Sequence, residues 1–495
     1  MTLFKKRTLA AAISSLVMLP LAQACTSVIV GKDASASGAL MISRNEDFST
    51  NNWAKRMHVY PRKSYKAGDV ITLSNGLKVP APETSWRYTA MNDWDAYQNS
   101  NDGKVFEERG VNEFNLAMSA TNSAEMNEKA QKVDPLVDQG IIEQNMTGLI
   151  LSQAKSAREA VQLLGDYVTR YGAGEANGVQ FADTKEAWYM EIGSGHHWIA
   201  VKVPDDKYAV IANGLRIHDV DLGDTQNIMH SKGLLEFTRK HKLLSKPDSR
   251  NFNFAQAFGK LGDLYNTDRE WMGQNLLSAS VKQKIRQDQY PLFLKPDQKI
   301  SVTDIAKVLR SDYQGTQLKG KGKRPIGVDR TSEAHIIEMY PNMPGELAAV
   351  IWQTPSNINY SPFIPVYNVM SHVPKVYTQG KDHYDNSSAW WTFRSLGTLA
   401  SPNVMEGKYK KVVDGVIDSA EHYLVKTHAY TRDMLKHMYK DNQDMAIQYA
   451  SNYSNGLLQT AYDRAQFLQS ELMTDLTRST EKKYSPEEFD KIKKL

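Results

Sequence analysis

Apolar and polar positions change their period several times along this 495-residue chain. A mainly apolar run from Leu9 to Leu21 follows Lys5, Lys6 and Arg7, and gives way to Ala22-Gln23-Ala24. Charged, apolar and small-residue segments in that order read as a secretory signal peptide, residues 1–24, cut after Ala24. Residues 26–30 then read as a strand, 32–37 as a polar turn and 39–44 as a returning strand. Residues 48–110, rich in Asn, Asp, Lys, Tyr and Trp, predict short strands and long loops. Residues 115–121 alternate, with Leu116, Met118 and Ala120 on one face. Two helices follow, one over 140–153 and one opening at Ser156 with Glu159 three residues on, a capping-box pattern. A meander of four strands (178–182, 186–192, 198–203 and 208–212) is punctuated by turns. Residues 225–320 read mostly as helix and loop, including a helix over 303–310. Residues 332–340 and 347–353 form a hairpin, and beyond Asp382 the pattern is amphipathic and helical. That order suits an α+β fold, two antiparallel sheets packed between helical layers.

Composition narrows the picture. Hydrophobic content of 41 % and charged content of 23 % are ordinary for a globular protein. Removing Lys5, Lys6 and Arg7 with the signal peptide takes the formal charge from +4 to +1. A near-neutral chain makes no general case for nucleic acid or an anionic membrane. The thirteen-residue apolar run is short for a bilayer span, and no later run approaches eighteen residues, so no membrane association is expected after processing. The remaining 471 residues suffice for one large domain plus an appendage, or for two domains. The division read here is 25–375 for a catalytic domain and 376–495 for a helical C-terminal extension. Oligomeric state stays open, a homo-oligomer included.

The single cysteine changes the reading most. One Cys in an exported chain forms no internal disulfide, so it either pairs between chains or has chemical work. Cleavage after Ala24 makes Cys25 the first residue, carrying a thiol and a free α-amine together. A thiol attacks poorly until deprotonated, and an α-amine titrating near ~8 can serve as its base. If Gly31 and Gly38 close the hairpin, paired positions sum to about 69 on strand geometry, which sets Arg44 opposite Cys25. A guanidinium there favours the thiolate. Asp47, just beyond, is positioned to hold or orient the ammonium. A lipoprotein anchor is the competing use of a mature N-terminal Cys. That signal wants a large apolar residue three positions earlier, where Ala22 stands, and lipidation would acylate the amine.

Other motifs carry less. Asn99-Ser100-Asn101-Asp102-Gly103 lacks the spacing and closing glutamate of a calcium loop. His196 and His197 point to opposite faces of a strand, a poor metal pair. Gly320-Lys321-Gly322-Lys323-Arg324 lacks the ending and preceding strand of a phosphate loop and reads as a solvated basic loop. Neither a metal nor an organic cofactor is implied.

Cys25-Thr26-Ser27 at a mature N-terminus, with Ser43-Arg44-Asn45-Glu46-Asp47 some twenty residues on, resembles the dipeptidase A family. These are cysteine N-terminal-nucleophile hydrolases related to choloylglycine hydrolase and penicillin V acylase. The likeness extends through Gly110-Val111-Asn112-Glu113, the segment 186–192, Gly195-His196-His197-Trp198 and Ala212-Asn213-Gly214-Leu215-Arg216-Ile217. It implies a four-layer α/β/β/α sandwich and a secreted, periplasmic or extracellular, dipeptidase working through a thioester on Cys25. It also implies Asn213 as an oxyanion donor and Asn122 as a second contributor. His335 stands where the related acylases place a catalytic arginine. An amidase of the penicillin V or bile-salt type and a non-catalytic envelope lipoprotein remain the alternatives.

Overall fold

A computed structural model describes residues 25–94, 106–480, 487, 491 and 493 of the chain. The loop 99–103 lies outside the described residues. Two antiparallel sheets dominate a mixed α and β architecture, in keeping with the α+β expectation. The six-stranded sheet runs Tyr208–Ile211, Thr26–Val30, Leu40–Asp47, Thr331–Met339, Ala349–Thr354, Ile364–Tyr367. The eight-stranded sheet runs Ile228–His230, Trp198–Lys202, Ala187–Ile192, Asn177–Ala182, Ala117–Ser123, Glu107–Asn112, Tyr88–Asp93, Lys55–Tyr60.

The opening hairpin forms where the pattern set it, but its register differs from the expected one. Ser27 pairs with Arg44 and Thr26 with Asn45, so paired positions sum to 71 rather than 69. The returning strand also runs on to Asp47. A shift of two residues preserves the face on which each side chain emerges, because the strand period is two. Arg44 therefore shares a face with Cys25 as a diagonal neighbour, within reach of a long side chain. Leu40–Asp47 contacts Ala117–Ser123, Asn177–Ala182 and Ala187–Ile192, so this face looks toward the second sheet.

The four-strand meander is corrected by the structure. Its first three strands pair in sequence order, but Tyr208–Ile211 crosses to the other sheet and pairs with Thr26–Val30, Ser27 opposite Ile211. Ile228–His230 takes the vacated edge beside Trp198–Lys202. Alternation identifies a strand but not its sheet. Every residue of Tyr208–Ile211 is buried, and so is every residue of Thr26–Val30 beside it. The crossing brings Asn213, just past this strand, to the Cys25 end of the first sheet.

Helices cover both sheets. Glu143–Leu151 and Ala157–Tyr171 pack on the second sheet, and Leu264–Leu277 and Val302–Leu309 on the first. The second of the two early helices starts as expected: Ser156 caps it by accepting from the Glu159 amide. Val302–Leu309 carries a full capping box between Ser301 and Asp304. Leu264–Leu277 lies close on its strand, since a Cβ on Gly273 would come within 2.6 Å of Val210. The last helices, Lys410–Asp441 and Gln443–Ser479, pack on Ile364–Tyr367, an edge strand the sequence reading missed. Pro365 within it disguises a strand and suits an edge, where no ladder donor is needed. Among the described residues, no helix is long and apolar enough to cross a membrane.

Candidate active site

Cys25 is buried where the two sheets meet, immediately before the first strand. Arg44 reaches it from the neighbouring strand: Nη1 lies 3.0 Å from Sγ and also donates to the Thr121 carbonyl at 3.1 Å. Its Nη2 donates to the Glu108 carboxylate at 2.7 Å and to the Glu108 carbonyl at 3.0 Å. Burial opposes the Arg44 charge, but Cys25, Glu108 and Glu333 more than offset it, and the guanidinium stays protonated. Its orientation is thus fixed by the second sheet, and one nitrogen is aimed at the sulfur.

Arg44 does not by itself make Cys25 a thiolate. Burial is the largest influence on the thiol, and Glu46, Asp47 and Glu108 add to it; Arg44 alone pulls the other way. The net result pushes Cys25 up to about 12. In the 495-residue chain, where the Cys25 nitrogen is an amide, the site holds a neutral thiol at pH 7.

Asp47 is engaged on both oxygens, by Arg324 Nη2 and by Thr331 Oγ1. Here the expected solvated basic loop is corrected. Arg324, the last residue of that run, is buried beside the site and forms an ion pair with Asp47. Nothing in Gly320-Lys321-Gly322-Lys323 separates this arginine from its exposed neighbours, so local pattern did not reveal it.

Asn213 is held by a residue that sequence reasoning also missed. Arg269, on Leu264–Leu277, donates from Nη2 to Asn213 Oδ1 and to Asn266 Oδ1, both at 2.8 Å. Its Nη1 donates to the Cys25 carbonyl at 2.7 Å and to Thr26 Oγ1 at 2.9 Å. Asn266 closes the loop, accepting from the Asn213 amide and donating to the Asn213 carbonyl. One guanidinium therefore fixes the main chain of Cys25 and the side-chain orientation of Asn213 together. With the Asn213 oxygen turned to Arg269, its Nδ2 faces the opposite side. Thr267, Asp268, Arg269 and Glu270 read along the chain as an ordinary polar stretch, and only the fold shows all four buried within one helix.

The remaining candidates fall on the same inter-sheet surface. Asn122 Oδ1 accepts from Ser27 Oγ at 2.6 Å, and its Nδ2 lies 3.4 Å from the Ile211 carbonyl, which ties it to the strand that Cys25 leads into and to its neighbour Tyr208–Ile211. His335 pairs with Arg44 across the sheet, yet its ring is committed elsewhere. Nδ1 meets Glu333 at 3.0 Å and Nε2 meets Ser119 Oγ at 2.9 Å. Burial lowers the His335 pKa despite Glu333, and Arg44 and Arg109 add to the lowering, so a neutral imidazole is favoured. Burial would raise Glu333, but hydrogen bonds from His335 and Gln353 and the charge of Arg44 hold it below the usual carboxylate range. This geometry supplies a rigid wall between the sheets rather than an arginine's charge.

Removing the guanidinium tests its electrostatic role. Arg44→Ala is expected to shift the pH of Cys25 alkylation upward by roughly 1–3 units, the effect of an adjacent opposite charge. Turnover should fall by about 100-fold or more, on the scale of losing one pre-aimed cationic donor. A stopped-flow alkylation profile unchanged from wild type would remove Arg44 from the activation of the thiol.

Comparison with known proteins gives the site its class: the chain is a cysteine-type peptidase. The family model that matches, over residues 24–419, is peptidase family C69, and the chain belongs to this family. It is 36 % identical over 388 residues to a probable dipeptidase of Latilactobacillus sakei, covering 76 % of this chain and 80 % of the relative. A probable dipeptidase A of Streptococcus pyogenes serotype M3 (strain SSI-1) is 31 % identical over 473 residues, 91 % of this chain and 98 % of that one. A probable dipeptidase of Salmonella dublin is 37 % identical over 361 residues, 70 % and 82 % of the two chains.

Proposed function

We propose that the chain is an exported dipeptidase, matured by cleavage after Ala24, in which Cys25 is the nucleophile and its own α-amine the base. The observation that carries this reading is the pair of arginines on Cys25. Arg44 aims a donor at the sulfur, while Arg269 ties the Cys25 carbonyl to Asn213. The α-amine takes the thiol proton as sulfur attacks the peptide carbonyl. Asn213 Nδ2, with Asn122 nearby, donates to the developing oxyanion, worth about 3 kcal/mol per good donor. The amine returns the proton to the leaving nitrogen, the first product departs, and water hydrolyses the thioester by the same route. Arg324 and Thr331 hold Asp47 beside this machinery.

The architecture of this reading is the α/β/β/α sandwich of N-terminal-nucleophile hydrolases. Its support is the pair of facing sheets with helices packed on each. The catalytic unit is 25–375 with 376–495 as its helical extension, and the mature enzyme acts in the periplasm or outside the cell. Relatives named as probable dipeptidases favour dipeptides over the N-acyl amides of the related acylases.

The test is a purified mature enzyme whose N-terminus is fixed by intact mass. It should hydrolyse unblocked dipeptides with kcat/KM of about 10⁴ M⁻¹s⁻¹ or more, within the ordinary enzyme range. N-acyl amides should be far poorer, and EDTA should have no effect. Loss of activity in EDTA restored by zinc would overturn the cysteine mechanism. A lipid-sized mass on Cys25 would replace the enzyme with an envelope lipoprotein.

A further inference from the structure

Beside Cys25 lies a buried charge cluster that the mechanism above does not use. Lys55 donates to Asp93 and to Glu108, and Glu108 also holds Arg44. Glu46 is the third carboxyl of the group, fully buried like the other members. Neither of its oxygens accepts a hydrogen bond among the described residues. Its nearest cation is the Lys55 ammonium at 3.5 Å, which is already directed at two other carboxylates. Lys55 and Arg44 are thus directed at Asp93 and Glu108, and Glu46 is the carboxyl of the cluster left without a hydrogen-bond donor among the described residues.

Its position gives the surplus a meaning. Thr26 pairs with Asn45, so the next residues along the two strands are Cys25 and Glu46, and both side chains emerge on the face toward the second sheet. A dipeptide whose carbonyl is attacked by Sγ carries its N-terminal nitrogen about 2.5 Å from that carbonyl carbon, two covalent bonds away. With sulfur about 3–3.5 Å from the carbon at attack, the nitrogen is confined to the immediate surroundings of Cys25. A group that reads it must be a carboxyl adjacent to the nucleophile, on the nucleophile's side-chain face, with its lone pairs not already claimed.

We infer that Glu46 is the specificity residue for the free N-terminal ammonium of the substrate, and so restricts the enzyme to unblocked peptides. This rests on the dipeptidase reading above and deepens it. Glu108 and Asp93 are excluded from the role because each already accepts from Lys55. Asp47 is excluded because Arg324 and Thr331 occupy it. Burial is the main reason why Glu46 holds a proton well above the usual carboxylate range. Glu108 and Asp93 act in the same direction, while Lys55 and Arg44 oppose it. Glu333 on the adjoining strand and Arg394 on the Ala389–Leu399 helix complete the charged surroundings. Binding an ammonium therefore exchanges one cation for another: the N–H···O contacts form and the Glu46 proton leaves to solvent.

The experiment compares three acyl donors on the mature enzyme: a dipeptide, its N-acetyl form, and its des-amino analogue with hydrogen in place of the ammonium. Wild type should favour the dipeptide over both by about 100-fold or more, the scale for truncating one partner of a buried charged contact. In Glu46→Gln the KM for the dipeptide should rise by a similar factor, with a smaller change in kcat, and discrimination against the des-amino analogue should collapse. Calorimetric titration of the same dipeptide into Cys25→Ala and Cys25→Ala/Glu46→Gln, in two buffers of different ionisation heat, reads the proton. Release should accompany binding in the first protein and be absent from the second. Glu46→Asp should recover part of the discrimination. Dipeptide hydrolysis that persists in wild type without preference for the ammonium, or with the preference intact in Glu46→Gln, overturns this inference alone. If Glu46→Gln does not fold, wild-type discrimination and proton release decide. Absence of dipeptide hydrolysis from mature wild type overturns the functional reading and this inference with it.

Discussion

Cys25→Ala should abolish hydrolysis, lowering turnover by on the order of 10⁴-fold or more, as nucleophile deletions do in enzymes that form acyl intermediates. It should leave the fold standing. The substitution removes one buried sulfur, a loss on the order of 1 kcal/mol. Arg44 keeps its contacts to Glu108 and Thr121, so no buried cation is stranded. Circular dichroism and a thermal melt would establish the fold, and dipeptide turnover the chemistry. A folded variant with wild-type turnover would end the assignment of Cys25 as nucleophile. Cys25→Ser should retain slight activity at best, because the amine base remains but a hydroxyl is far less acidic than a thiol.

Much of this site was legible in the sequence because it is built locally. The hairpin follows from alternation and two glycines, Gly38 taking the positive φ of +73° that its turn requires. Its register was misread by two residues, yet the inference that Arg44 reaches Cys25 holds, since an even shift leaves every side chain on its face. What was illegible is long-range. The crossing of Tyr208–Ile211 between sheets brings Asn213 to Cys25, and no alternation pattern encodes which sheet a doubly buried strand joins. Arg269 and Arg324 come from a helix and a loop far along the chain, and each is one arginine among many until packing buries it. Buried cations are retained only where partners satisfy them, so their contacts and not their neighbours in sequence carry the signal. Lys55 and Glu46 belong to the same class: Glu46 stands in the family-like motif and Lys55 in a stretch that reads only as short strands and long loops, while their shared enclosure with Asp93 and Glu108 emerges only from the second sheet.

Activity should depend on a free, unprotonated α-amine at Cys25. A chain that keeps residues 1–24 has an amide nitrogen there, which cannot take the thiol proton. Burial pushes the thiol up to about 12 even with Arg44 at 3.0 Å, so the neutral thiol dominates at pH 7 and the nucleophile needs a base. Cleavage after Ala24, as proposed, would supply that base. The pH dependence then carries a sign. The mature enzyme should lose activity as pH falls through the amine's pKa, because protonation removes the base. Burial disfavours the ammonium, and Arg44 and Arg269 beside Cys25 disfavour a further cation, so this pKa should lie below the free value of about 8. Asp47 and Glu46 act against that shift, but Asp47 is paired with Arg324 and Glu46 holds its own proton. The comparison to make is between mature enzyme and a folded variant with Ala24 still attached, each followed from pH 5 to 10. The variant should be inactive by at least about 10³-fold across the range, the upper part of the 10²–10⁴-fold span typical of a positioned general base. Equal activity in the two would show that the amine is not the base, and the N-terminal-nucleophile mechanism would be lost with it.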